Sequence, residues 1–151
     1  PPSASSAASD VYKRQRRGVA FAVLVTMISN FILGDGIWTT YQAIGWSTVA
    51  IIGAQSKLIT DNKLQLGKLY LLGIISAFLF DFIASLSVIG TVNTGEFIAY
   101  LINGIPYDVV HALGNVTMAA WFGIWFSDVI TQYRSMEEIE QTVVDGYVIG
   151  S

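Results

Sequence analysis

Long apolar runs separated by short polar turns set the pattern of this chain. No charged residue falls within Gly18–Gly34, Gly36–Ser56, Leu69–Phe80, Phe82–Gly95 or Val109–Ser127. A helix that crosses a bilayer needs ~20 mostly apolar residues, with a range of about 17–25. The pattern predicts an all-α integral membrane protein with about four transmembrane helices. The spans run from about Gly18 to Leu33, Tyr41 to Leu58, Gly67 to Ile89 and Pro106 to Ile130. A short helical segment, Glu96–Ile102, is expected ahead of the fourth. Pro106 suits a first helical turn, where its missing N–H costs nothing, and Gly104 loosens the approach. A soluble bundle would instead need a polar stripe on every helix. The first span, GVAFAVLVTMISNFILG, offers only Thr26, Ser29 and Asn30.

Composition strengthens this picture. The 151 residues suffice for one domain; 53% are hydrophobic and only 13% charged, about half the charged share of a soluble domain. Mean hydropathy is +0.56. The aromatic share of 13% is not that of a disordered chain. A net charge of −3 leaves no basic surface for nucleic acid. Without Cys, disulfides and thiolate metal sites are excluded.

Lys and Arg fix an expected orientation, because they favour the cytoplasmic side. Lys57, Lys63 and Lys68 flank the loop between the second and third spans, Arg16 and Arg17 precede the first, and Arg134 follows the fourth. The connections Asp35–Thr40 and Gly90–Ile105 carry neither. The protein is therefore expected to be multi-pass in the cell membrane, with both ends cytoplasmic and those two connections outside. Residues 1–15, PPSASSAASDVYKRQ, are small and polar and form a non-native or disordered leader. Within them SSAASDVYKRQ resembles translated sequencing adaptor, which implies that native sequence is missing upstream. The transmembrane bundle covers 16–131. The tail, 132–151, is cytoplasmic and starts as an amphipathic helix through Met136, Ile139 and Val143.

Polar side chains inside apolar spans are costly and face a cavity or a partner. One cluster is GDGIWTTYQ, with Asp35, Trp38, Thr39 and Gln42. Trp38 and Tyr41 also suit an interfacial aromatic belt. A second is GIPYDVVHALGN, in which Asp108, His111 and Asn115 are spaced i, i+3, i+7. They form one stripe ~10 Å long on a helix face, with Tyr107 beside it. The stripe either lines a polar cavity or locks helices together through an Asp108–His111 pair. Asp81 stands alone within the third span, either touching a ligand or paired across the bundle with Asn115 or His111. Asp128 belongs to the inner interface. Asp81, Asp108 and His111 could supply two carboxylates and an imidazole to a metal, but a single His and no HExxH argue against one. Neither a GxSxG nucleophile nor a phosphate-binding Gly-rich loop is present. No cofactor is expected.

Two strings, SNFILGDGIWTTYQAIGW (29–46) and NGIPYDVVHALGN (103–115), resemble the substrate-binding S component of energy-coupling factor (ECF) transporters, in the predicted vitamin branch that includes the cobalamin-type proteins. There a GxGxWTxxQ turn follows the third helix, matched by Gly34, Gly36, Trp38, Thr39 and Gln42. A G-hydrophobic-P-aromatic-D…HA-G-N string opens the sixth, matched by Gly104, Pro106, Tyr107, Asp108, His111, Ala112, Gly114 and Asn115. The resemblance covers about Arg16 to Thr131 and maps the four spans onto the last four of a six-helix bundle. It implies a non-enzymatic subunit that binds a vitamin-like solute at the outer face. A membrane coupling subunit and a cytoplasmic ATPase pair would power its uptake. The family's docking face for the coupling subunit lies on the first helix, so it finds no counterpart here.

The expected binding residues are Trp38, Thr39, Gln42, Tyr107, Asp108, His111 and Asn115, with Asp35 and Asp81 as additional candidates. Aromatic rings would stack on a flat solute and the polar groups would orient it. Two rivals stand beside this reading. One is a membrane enzyme with a metal at Asp81, Asp108 and His111; the other is a structural subunit whose polar residues only tie helices together.

Overall fold

The computed structural model describes residues 4–56, 58–60 and 63–149. Lys57, one of the loop lysines used for orientation, lies outside the described residues, as do the first three residues of the leader. Among the described residues, the chain is all-α apart from one pair of two-residue strands. Its elements are α1 (Ala4–Leu33), α2 (Ile37–Gln55), β1 (Ile59–Thr60), β2 (Lys63–Leu64), α3 (Leu66–Ser85) and α4 (Thr94–Ile149). A 3-10 turn, Leu86–Val88, extends α3. The strands pair antiparallel, Ile59 opposite Leu64 and Thr60 opposite Lys63.

Successive helices pack as neighbours, α1 on α2, α2 on α3 and α3 on α4. Small residues bring them close. Gly18 abuts Ala50, Gly45 lies under the Phe80 ring, Gly73 faces Asn115, and Gly123 faces Leu66 and Leu69. Without a hydrophobic drive between helices, such contacts rely on close backbone approach. The core is correspondingly thin. Ala22, Ala77, Phe80 and Ala112 are its buried apolar residues, joined by buried Thr26, Asn30 and Ser76. Large apolar side chains point outward instead, including Phe31 at 89% exposure and Leu33 at 84%. Soluble monomers rarely expose contiguous apolar surface on this scale.

Among the described residues, three segments are long and apolar enough to cross a membrane: Ala8–Leu33, Leu66–Val88 and Thr94–Tyr133. Four helices were expected and four are present, three of them meeting this length and apolarity. The second, α2, is helical and uncharged, but Trp38, Thr39, Thr40, Tyr41 and Gln42 in its first turns dilute its apolar character.

The largest correction concerns Pro106. It does not open a helix but sits inside α4, which runs unbroken from Thr94 and absorbs the separate segment expected at Glu96–Ile102. The helix starts earlier because Asn93 and Glu96 cap it reciprocally. The Asn93 N–H donates to Glu96 Oε2 at 2.8 Å, and the Glu96 N–H donates to Asn93 Oδ1 at 3.0 Å. This is a capping box. Membrane helices tolerate an internal proline where neighbouring groups compensate for the lost bond. Other boundaries also moved. The second helix begins at Ile37 rather than Tyr41, α1 reaches back to Ala4 through most of the leader, and α4 continues through the tail to Ile149.

Candidate functional site

The connection between α1 and α2 is built from its own side chains. Gly34 ends α1 with φ +120°, a conformation open to glycine, and its N–H bonds the Asn30 carbonyl at 2.8 Å. Asp35 Oδ1 then accepts from the Gly36 N–H at 2.8 Å and from Thr39 Oγ1 at 2.5 Å, closing the first turn of α2. Gly36 leaves room for Trp38, whose indole folds back so closely that a Cβ on Gly36 would overlap the ring. One turn on, Gln42 is fixed from α1: Asn30, buried, donates Nδ2–H to Gln42 Oε1 at 2.7 Å.

The facing wall comes from α3 and α4. His111 Nδ1 meets Asp81 Oδ2 at 2.8 Å. An ionised carboxylate only accepts, so the proton sits on the imidazole nitrogen. The pair is part-buried, 28% exposed at His111 and 23% at Asp81. Beside it, Phe80 and Trp46 pack with rings tilted by 36° at 4.5 Å between centroids, and each meets the imidazole edge-on, at 5.8 and 6.4 Å. This aromatic floor fixes the ring plane of His111. Another turn along α4, Asn115 donates Nδ2–H to the Gly73 carbonyl of α3 at 3.1 Å.

Between these walls lies an open cleft of about 600 Å³. Its lining brings together Trp38 and Gln42 from α2, Asp81 from α3, and Tyr107, Asp108 and His111 from α4. Two sequence strings far apart in the chain therefore meet around one cavity. Comparison with protein-family models, curated proteins and solved structures finds no match to this chain.

The remaining expected residues fall outside the lining. Asp35 and Thr39 serve the cap of α2, and Asn115 ties α4 to α3. The Asp108–His111 lock is not formed, because His111 turns to Asp81. Among the described residues, the Asp108 carboxylate has no hydrogen-bond partner, and no three His, Asp or Glu side chains gather as a metal site.

The lining also contains Ser85, Ser87, Tyr100, Asn103 and Gly104, none of them expected. Tyr100, Asn103, Tyr107 and His111 share one face at three- and four-residue spacing. That face becomes visible only when the helix is read through Pro106. The arrangement can hold a small polar solute between aromatic walls, in the size range of small-molecule sites.

Proposed function

We propose that this chain is a membrane-embedded, solute-binding subunit of an ECF-type uptake transporter for a vitamin or similar micronutrient, without enzymatic activity of its own. The single observation that carries the proposal is the convergence of Trp38, Gln42, Tyr107, Asp108 and His111 on one open cleft. Those residues belong to the two strings that resemble S components. The outward apolar surface and three span-length helices support a place in the cell membrane. The cleft lies at the end of the bundle that carries the Lys- and Arg-free connections, so it would open to the outside. Uptake would then require a membrane coupling subunit and a cytoplasmic ATPase pair as partners.

A purely structural role has observations of its own. The Asn30–Gln42 bond ties α1 to α2, and the Asp81–His111 and Asn115–Gly73 bonds tie α3 to α4. That reading leaves the cleft and the unpartnered Asp108 without a purpose.

The deciding experiment titrates the purified chain in detergent with a panel of water-soluble vitamins. Binding to the folded state raises the melting temperature by mass action. One solute is expected to saturate. His111→Ala should then weaken it roughly 10- to 100-fold, the worth of a charged hydrogen bond at ~1.4 kcal/mol per tenfold. Trp38→Ala should cost a comparable amount through lost stacking. Asp128→Asn, well along α4 from the cleft, should change little. Loss of binding in Asp128→Asn with His111→Ala and Trp38→Ala intact would refute the site.

A further inference from the structure

Taken with the proposal that the cleft binds a solute, its charge balance specifies the solute's chemistry. Two carboxylates line it, Asp81 and Asp108, against one imidazole and no Lys or Arg. Asp81 is paired with His111. With that imidazole protonated the lining carries one net negative charge, and with it neutral, two. Either way Asp108 is left with no hydrogen-bond partner among the described residues.

The rest of the molecule does not compensate. The sequence has no Lys or Arg between Arg17 and Lys57, or between Lys68 and Arg134. Asp35, in the α1–α2 connection, and Glu96, in the first turn of α4, add further negative charge at the cleft end. The basic side chains of α1, Lys13, Arg14, Arg16 and Arg17, border separate hollows near Gly18, Ala50 and Gly53, toward the opposite end. A cleft lined by one sign of charge between low-dielectric walls focuses its field on the opposite sign.

The aromatic walls point the same way. Trp38, Tyr100 and Tyr107 all face the cavity, and ring faces attract cations, above all where water is thinned. An anionic solute would meet like charge from Asp108. A neutral one would leave that carboxylate uncompensated as the cleft fills.

We infer that the cleft selects an organic cation, a flat nitrogen-containing ring bearing positive charge, with Asp108 as its counter-ion and Trp38, Tyr100 and Tyr107 as its walls. The test uses three probes that share a pyridine ring and differ in charge: 1-methylnicotinamide, nicotinamide and nicotinate. Equilibrium dialysis against the full chain in nanodiscs should rank the cation tightest, by about 10-fold or more over the other two. Asp108→Asn should remove most of that preference while leaving the melting temperature of the unliganded protein unchanged. Asp108→Lys should shift the preference toward nicotinate. Equal or tighter binding of nicotinamide or nicotinate to the unaltered chain overturns the inference, as does failure of the cation to bind saturably. The solute-binding proposal stands or falls separately, on the vitamin panel.

Discussion

Trp38 owes its position to a neighbour two residues away. Its indole rests against Gly36, where no Cβ fits, so the wall of the cleft depends on the smallest residue in its turn. Gly36→Ala should swing the ring aside and weaken a stacked solute by about 10-fold, with little change in melting temperature. Solute titration of the variant checks this. The Asp81–His111 pair makes a different demand. Asp81→Asn, His111→Ala and the double variant form a cycle, and residues in direct contact couple by about 0.5–3 kcal/mol. Unfolding in mixed micelles should show a coupling within that range, and additive effects would mean that the 2.8 Å contact carries no energy. Polarity inside apolar sequence was the signal that located Gln42, Asp81, Asp108 and His111. The same signal marked Thr39 and Asn115, which cap α2 and bridge α4 to α3 instead. A polar side chain in an apolar run announces that it needs a partner, and the sequence is silent on whether that partner is solute or backbone.

At the scale of elements, two local signals competed around Pro106. The proline favoured a helix starting there, while Asn93 and Glu96, three apart, favoured one starting at Thr94. The capping box satisfied two backbone donors at once and won. Asn93→Ala should therefore cost about 0.5–2 kcal/mol, the usual worth of a cap, and chemical denaturation of the variant measures it. Reading α4 as one helix would also have placed Tyr100 and Asn103 on the face of Tyr107 and His111. Helix type and order were legible because long uncharged runs admit few alternatives. The strand pair Ile59–Thr60 and Lys63–Leu64 was not, since strands of two residues leave no periodicity to read.

For the whole molecule, the lysines and the acidic connections divide the two ends. A cysteine at Lys63 and one at Asp35 should label from opposite sides of the membrane with an impermeant reagent, Asp35 from outside. Labelling from one side would break the orientation argued from charge. The same end-to-end view shows two helical pairs, α1 with α2 and α3 with α4, joined mainly where α2 meets α3 at Gly45, Trp46 and Phe80. Trp38 and Gln42 belong to one pair; Asp81, Tyr107, Asp108 and His111 belong to the other. The cleft thus lies between the two pairs, which meet at a glycine and two rings. A bulkier residue at Gly45, which lies against the Phe80 ring, should therefore change the spacing of the cleft walls.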